Sequence, residues 1–234
     1  MSSSDSDDSV LPPLHAAAGD ADVDDLRRCL EEGVSPNLAD EDGLLPLHHL
    51  CANRNDADDR ITCLNTLVEA GADINARTRL STTPLHFAAG YGHPKLVAAV
   101  VNAGANVNSE NPVGTPLHWA CRRHRPSVEC VELLLNAGAA VNATTLAGGR
   151  TPLDMAIIEG DHQRSYPTLL RAGATYSRET TDAYLLKVRA AGGFRTYERT
   201  HLNAIAATFI PKLPLLPPEM VRRVVEYAFH VGDY

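Results

Sequence analysis

Thr83-Pro-Leu-His-Phe-Ala-Ala-Gly-Tyr-Gly-His93, followed by Gly104-Ala-Asn-Val-Asn108, is the stretch that decides the fold of this 234-residue chain. Its Pro-Leu-His unit, or a close variant, occurs five times, and a glycine recurs in phase with it, mostly with asparagine four residues later. Two markers that stay in phase indicate an internal repeat. The units begin at Pro13, Pro46, Pro84, Pro116 and Pro152, at intervals of 33, 38, 32 and 36 residues; the glycines are Gly33, Gly71, Gly104, Gly138 and Gly173, and the asparagines are Asn37, Asn75, Asn108 and Asn142.

Each marker has a physical reason to lie at a helix boundary. Thr83 directly precedes Pro84, so its hydroxyl is placed to cap a helix whose first residue has a fixed φ and no N–H to leave unpaired. Gly104 follows an apolar run, which is typical of the residue that ends a helix with a positive φ. We therefore expect a helix-turn-helix unit in each repeat, with side chains such as Leu85 and Ala88 facing the neighbouring unit.

The third copy, from Thr83 to Asn108, resembles the ankyrin repeat, and the other four copies keep its markers. The resemblance implies an all-α fold, an ankyrin-repeat solenoid of helix-turn-helix units with hairpin loops, in which stacked neighbours share one core. It also divides the chain into three parts. These are a disordered acidic and serine-rich tail at 1–9, five ankyrin repeats over 10–176, and a helical C-terminal extension or cap at 177–234.

Departures from the pattern predict where the stack is irregular. Extra residues fall between the two helices of the second repeat, at 53–59, and of the fourth repeat, around 125–127, and both should form surface loops. The position of Thr83 is taken by Pro12 in the first repeat and by Leu45 in the second, and the fifth repeat has Asp154 in place of histidine. These three repeats should lack part of the hydrogen-bond network that caps the start of the first helix.

Charge and cysteine usage limit the class of protein. Residues 1–59 hold fifteen acidic residues and three arginines, a net charge of −12, whereas residues 60–234 hold fourteen acidic and eighteen basic residues, a net charge of +4. The acidic end disfavours nucleic-acid binding, because phosphate contacts need Lys and Arg. The five cysteines form no Cys-x-x-Cys pair, and we find neither a secretory leader nor an apolar run that could span a membrane. We expect a soluble protein of the cytoplasm or nucleus with reduced thiols.

The motifs of common catalytic sites are missing from the sequence. It contains no glycine-rich phosphate-binding loop and no Gly-x-Ser-x-Gly, and His201 and His230 have no nucleophile motif near them. The repeated histidines suit hydrogen bonds to neighbouring backbone. A zinc site at His118, Cys121 and His124 is the alternative, but these positions diverge on a helix and a fourth ligand is lacking. The sequence therefore predicts a non-catalytic protein without metal or cofactor.

The resemblance to ankyrin solenoids implies a protein partner, bound by the hairpin tips and the exposed ends of the first helices. The basic middle of the chain predicts acidic groups on that partner. Trp119, the only tryptophan, suits an interface hot spot and a packing position equally well. The positions that the resemblance selects are Glu41, Asp42, Leu44, Arg79, Leu80, Thr82, Tyr91, Pro112, Val113, Trp119, Arg122, Arg123, Leu146, Arg150, Ile158 and Glu159.

The composition changes after Gly173. Apolar residues at helical spacing predict a helix from Phe194 to Phe209, which Pro211 must end, and a second amphipathic helix over 219–229. One interpretation is that both helices cap the last repeat, since a solenoid needs a covered end.

The alternative for this C-terminal segment is adaptor recruitment. Its apolar spacing, followed by Leu213-Pro-Leu-Leu-Pro217, resembles the C-terminal box of suppressors of cytokine signalling, and residues 216–225 resemble the opening of an F-box. The first resemblance implies a substrate receptor of a cullin-RING ubiquitin ligase that binds an elongin and cullin type of adaptor. The adaptor-binding residues that it implies are Leu202, Ala206, Ile210, Leu213 and Pro214.

Overall fold

The computed structural model describes residues 12–53, 59–122, 127–158, 164–209, 217–221 and 223. Within those ranges the regular elements are α-helices, and β pairing is limited to one isolated bridge between Asn111 and Gly114. The all-α fold that the resemblance implies is confirmed. The helices are α1 (Pro13–Asp20), α2 (Val23–Glu31), α3 (Pro46–Ala52), α4 (Asp59–Glu69), α5 (Pro84–Tyr91), α6 (Pro94–Asn102), α7 (Pro116–Cys121), α8 (Val128–Asn136), α9 (Pro152–Ile158), α10 (Tyr166–Arg171), α11 (Ala183–Ala190) and α12 (Phe194–Phe209).

The first ten helices form five consecutive pairs. Within each pair the two helices pack together. Between adjacent pairs, first helices pack on first helices and second helices on second helices. The first row is α1, α3, α5, α7 and α9, and the second row is α2, α4, α6, α8 and α10. A hairpin loop leads from each pair to the next. The five helix-turn-helix units predicted from the sequence are therefore present and stacked in chain order.

The first helix of each unit begins at the proline of the Pro-Leu-His unit. In the third unit Thr83 has extended backbone angles and Pro84 is the first helical residue. The Thr83 N–H donates to Nδ1 of His86 at 3.1 Å, and the Thr83 hydroxyl lies 2.8 Å from the same nitrogen. The threonine hydroxyl therefore contacts the histidine ring rather than the backbone N–H that a simple cap would use.

The second helix of each unit ends at the repeated glycine, as predicted. Gly104 has φ +92° and Gly138 has φ +89°, the left-handed region in which a side chain would be strained. Asparagines then cross-link successive glycine turns: Asn75 Nδ2 donates to the Gly104 carbonyl at 3.3 Å, and Asn75 Oδ1 accepts from the Asn106 N–H at 2.7 Å. Asn37, Asn108 and Asn142 make the corresponding pairs of bonds.

The core runs through the stack as one continuous cluster. The leucine of each Pro-Leu-His unit is buried, as is Ala88 on α5. All five cysteines are buried and free. Burial raises the pKa of the Cys51 and Cys121 thiols to about 12, so both stay protonated and unreactive at neutral pH. The buried leucines are Leu14, Leu47, Leu85, Leu117 and Leu153.

Helices α11 and α12 cover the open end of the fifth unit. Leu185, Val188 and Phe194 join the buried core. Three tyrosine rings then stack edge to face across α10, α11 and α12, with centroids 5.8 Å apart for Tyr166–Tyr184 and 5.4 Å apart for Tyr184–Tyr197. Helix α12 has the predicted bounds, whereas α11 was not predicted.

Several predicted features lie outside the described residues. They are the tail at 1–9, most of the insertion at 53–59, residues 125 and 126, and the part of the second C-terminal helix beyond residue 223. Before that point, residues 218–221 are helical. The flanks of the first insertion fit the prediction, because α3 ends at Ala52 and α4 begins at Asp59. The division of the chain into tail, repeats and extension stays a prediction.

Candidate protein-binding surface

The hairpin tips form a row along one edge of the stack. Each tip is closed by a backbone hydrogen bond across its base, so the residues between are presented on a tight turn. The four closing bonds run from Asp40 N–H to Leu44 O (2.9 Å), Thr78 N–H to Thr82 O (3.0 Å), Asn111 N–H to Gly114 O (3.1 Å) and Thr145 N–H to Arg150 O (2.9 Å).

A buried histidine ties each hairpin to the helix before it. His48 Nε2 lies 3.1 Å from the Ala76 carbonyl, His86 Nε2 lies 3.1 Å from the Gly114 carbonyl, and His118 Nε2 lies 3.0 Å from the Arg150 carbonyl. A carbonyl only accepts, so Nε2 carries the proton and Nδ1 accepts from the helix start. Burial lowers the pKa of His48 and His86 to about 4, which keeps both rings neutral at pH 7. The hairpins are thereby held at a fixed spacing.

This network also bears on the zinc alternative. Both ring nitrogens of His118 are engaged, one by Thr115 and one by the Arg150 carbonyl. Cys121 is buried, and His124 lies outside the described residues. Across the part of the chain that the structure describes, no group of three or more His, Cys, Asp or Glu side chains is placed to hold a metal ion.

The chemistry of the tips changes along the row. The first tip presents Glu41 and Asp42, both exposed. The second presents Arg79, which is exposed, and Leu80, whose exposed fraction is 70%. The fourth presents Leu146, exposed to 76%. The row therefore begins acidic and continues apolar and basic. The third tip adds exposed Pro112 and half-buried Val113, and Arg150 is exposed at the end of the fourth.

Arg79 spans the boundary between the acidic and the basic tip. Its side chain lies over Gly43, where an added Cβ would come within 3.0 Å of the arginine Cγ. Gly43 has φ +80°, so the turn itself also favours glycine. The first two tips therefore form one continuous surface.

Trp119 lies on α7, behind the third tip, and contributes to packing. Its ring meets Phe87 edge to face at 5.8 Å, and its Nε1–H donates to Asn111 Oδ1 at 3.4 Å. An added Cβ at Gly90 would approach the indole to 2.8 Å, so the neighbouring repeat must carry glycine there. The side chain stays half-buried. The packing interpretation is confirmed, and its exposed part remains available for contact.

The remaining selected residues divide into surface, interior and undescribed positions. Thr82 is buried and accepts a hydrogen bond from Asn111 at 3.0 Å, so its selection as a contact residue was wrong: the side chain braces the hairpin from inside. Arg122 and Ile158 are exposed, and Leu44 and Tyr91 are half-buried. Arg123, Glu159, Ile210, Leu213 and Pro214 lie outside the described residues.

The predicted hydrogen bonds of the repeated histidines to neighbouring backbone are present, but sequence reasoning missed a second contact that braces the first tip. His49 Nε2 lies 2.7 Å from Asp40 Oδ2 at the base of the first tip. Burial alone would raise the pKa of Asp40, but hydrogen bonds from His49 and from the Leu44 and Asp42 N–H groups outweigh it and lower that pKa. The asparagine recurrence marked the repeats, yet its role as a cross-link was not deduced. The consecutive His48-His49 pair was the signal for the first brace.

A family model confirms what this architecture indicates. The model for ankyrin repeats matches three overlapping segments, residues 14–111, 56–145 and 85–180. This chain belongs to the ankyrin-repeat family. The match covers all five pairs of helices and stops before α11.

Curated relatives of this ankyrin-repeat chain are longer proteins. XBAT31 of Arabidopsis thaliana is 35% identical over 150 residues, covering 58% of this chain and 31% of its own. Nuclear factor NF-kappa-B p105 subunit of Gallus gallus is 29% identical over 133 residues, covering 55% and 13%. E3 ubiquitin-protein ligase XBAT33 of Arabidopsis thaliana is 40% identical over 79 residues, covering 33% and 15%. The chain spans less than a third of each of these relatives.

None of the helices in the described ranges is long and apolar enough to cross a membrane.

Proposed function

We propose that this chain is a non-catalytic protein-protein interaction module that binds its partner across the hairpin tips and the exposed ends of α5, α7 and α9. The observation that carries the proposal is the pair Leu80 and Leu146, exposed to 70% and 76% on tips that buried histidines hold in place. An exposed leucine on a rigid turn loses little conformational entropy when a partner covers it. Such positions are favourable anchors for a protein interface.

The charge of the same surface supports a partner with acidic groups. Arg79 and Arg150 are exposed on the second and fourth tips and Arg122 is exposed at the end of α7, while Glu41 and Asp42 lie at the other end of the row. An acidic segment of the partner would be attracted to the second to fourth tips and repelled by the first. The row therefore favours one orientation of the partner.

The proposal is tested by a matched pair of leucine substitutions. Leu80→Asp combined with Leu146→Asp should remove the partner from affinity captures made with the intact chain, because both side chains are exposed and the fold should survive. The control is Leu186→Asp on α11, an exposed leucine away from the tips. Equal recovery with the double variant, as measured by quantitative mass spectrometry, would exclude the hairpin tips as the binding surface.

A second candidate function is a substrate receptor of a ubiquitin ligase, with the adaptor held by α12. What supports it is the resemblance around Leu202 and the name of XBAT33, whose match covers 33% of this chain. Leu202 is half-buried and Ala206 is 3% exposed, so adaptor binding through Ala206 requires α12 to open. Direct binding of purified elongin B and C to the intact chain tests this candidate.

We also propose that the protein resides in the cytoplasm or nucleus. Support comes from the five buried cysteines, all of which are free thiols. Fractionation of cells that express the intact chain with a small C-terminal epitope tests the compartment.

A further inference from the structure

A basic cavity lies between the last repeat and the C-terminal cap, away from the hairpin tips. Its volume is about 460 Å³, and it is lined by Arg171, Arg195, Glu198 and Arg199. Arg171 ends α10, and the other three residues lie on α12 at positions i, i+3 and i+4, which share one helix face. The size lies within the range of clefts that bind small ligands.

One arginine of this basic cavity is held in place. The Nε–H of Arg171 donates to Glu198 Oε1 at 2.8 Å, and its Nη2 lies 2.6 Å from the same oxygen. The guanidinium also lies over the Phe194 ring, 6.0 Å from the centroid. These contacts fix the orientation of Arg171 and leave its remaining N–H groups for another acceptor.

The other two arginines of the basic cavity have no such partner. Arg195 and Arg199 are exposed, and neither is ion-paired with a carboxylate among the described residues. The two arginines are four residues apart, a spacing at which like charges repel on a helix. Three arginines and one glutamate leave the cavity with a net charge of +2.

We propose that the basic cavity binds a phosphate monoester. The guanidinium group presents its donors in a fork that matches two phosphate oxygens, and Arg195 and Arg199 offer two such forks beside Arg171. A phosphate monoester carries a charge of about −1.5 to −2 at pH 7, which matches the charge of the lining, whereas a carboxylate would neutralise only half of it. This site is separate from the hairpin tips and goes beyond the proposed function.

A bound phosphate would connect two parts of the molecule. Arg171 belongs to the fifth repeat, and Arg195 and Arg199 belong to α12, so the ligand bridges the repeat and the helix that caps it. A ligand that binds only the folded chain raises its apparent stability. Phosphate binding should therefore raise the melting temperature, and the cap should gain the most protection from hydrogen exchange.

The test uses calorimetric titration of the intact chain at constant ionic strength. The probes are inorganic phosphate and the peptide acetyl-Ala-phosphoserine-Ala-amide, with acetate and the unphosphorylated peptide as controls. Both phosphate probes should bind, and both controls should fail to bind. If the phosphopeptide binds more tightly than inorganic phosphate, the natural ligand is a phosphorylated protein side chain. If the two probes bind with equal affinity, the natural ligand is a small free phosphate compound.

Variants assign the binding to the basic cavity. Arg195→Gln and Arg199→Gln should each weaken binding about tenfold, because each removes a charge-assisted fork. Arg27→Gln removes an exposed charge on α2, in the first repeat, and should leave the affinity unchanged. The double variant to lysine keeps the charge but loses the forks and should bind with reduced affinity. Undiminished binding by the double glutamine variant, absent binding of both probes, or equal binding of acetate would overturn the proposal.

Discussion

The third and fifth repeats begin their first helices with different chemistry. In the third, His86 accepts at the helix start through Nδ1 and donates from Nε2 to the Gly114 carbonyl of the next hairpin. In the fifth, Asp154 accepts from the N–H and hydroxyl of Thr151 at 2.9 and 2.8 Å. The histidine therefore combines a local cap with a link between repeats. The last repeat needs only the cap, because no further hairpin follows it.

The first repeat shows the reverse case. Pro12 replaces the threonine and has no N–H to give, and Nδ1 of His15 is buried without a hydrogen-bond partner among the described residues. Nε2 of His15 still bonds to the Leu38 carbonyl at 3.0 Å. This repeat keeps the link and loses the cap. The predicted loss at the start of the first helix is confirmed for the first repeat. It is wrong for the fifth repeat, where Asp154 keeps the cap and only the link to a following hairpin is absent.

The largest expected effect is the loss of folding stability in acid, when the buried histidines take up protons. The pKa of His48 and His86 is about 4 in the folded chain and 6.5 when unfolded, so between these values the unfolded chain binds more protons. Stability is therefore complete above pH 6.5 and falls as the pH drops towards 4. At pH 5 each of these histidines should cost about 2 kcal/mol relative to pH 7.

Urea unfolding of the intact chain at pH 7 and pH 5 measures this loss. The His86→Ala variant should show a smaller pH dependence, since one of the titrating groups is gone. An unchanged free energy of unfolding between the two pH values would mean that the rings bind protons equally well in the folded and the unfolded chain, contrary to the hydrogen-bond pattern.

The next largest effect compares the stability that comes from the histidine link between repeats with the stability that comes from a helix cap alone. His86→Ala removes three hydrogen bonds, leaves a buried carbonyl at Gly114 unsatisfied and opens a cavity, which should cost about 3 kcal/mol. Asp154→Ala removes only a cap and should cost about 1 kcal/mol. Equal losses in urea unfolding would mean that the link between repeats contributes nothing to stability.

The sequence predicted the repeats well because each boundary is set by local chemistry. Pro84 starts a helix and Gly104 ends one through restrictions on their own backbones, and both occur where expected. Helix α11 was not predicted, since its buried residues Leu185 and Val188 give no clear period over eight residues. Its position depends on contact with α12 and the end of the stack.

The candidate surface was only partly predictable. Repeat register placed Leu80 and Leu146 on tips, where they are exposed. Register did not show that Thr82 turns inward or that Trp119 packs on Gly90, because these contacts come from a neighbouring hairpin or repeat. The basic cavity joins side chains from two helices that are distant in sequence, so no motif reveals it.

A smaller effect is expected for substitutions on α12, which either caps the stack or recruits an adaptor. Leu202 is half-buried on α12, and Asn203 beside it is exposed. Leu202→Asp should lower the free energy of unfolding by about 1–2 kcal/mol, because it places a charge where an apolar side chain packs. Asn203→Asp adds the same charge to solvent and should change it by less than about 0.5 kcal/mol.

The same pair of variants distinguishes the two roles of α12. If the helix recruits an adaptor through Leu202, Leu202→Asp abolishes the recovery of elongin B and C in addition to this loss of stability, whereas Asn203→Asp leaves the recovery unchanged. If the helix only caps the stack, the loss of stability is the sole effect and the unsubstituted chain recovers no adaptor.

Opposite charges at the two ends of the row of hairpin tips should produce the smallest effect, on the rate of association. Exposed charges at the rim of an interface attract or repel a partner before contact and contribute little once it is bound, because water and salt screen them. Arg79→Gln with Arg150→Gln should therefore slow the association of an acidic partner a few-fold, and Glu41→Gln with Asp42→Asn should accelerate it. Stopped-flow measurements with the partner recovered by affinity capture, at low and physiological salt, would show both differences shrinking as salt rises. Association rates that do not depend on salt, or that change in the same direction in both variants, would mean that the charges of the tips do not attract or repel the partner. The partner would then bind through Leu80 and Leu146 alone.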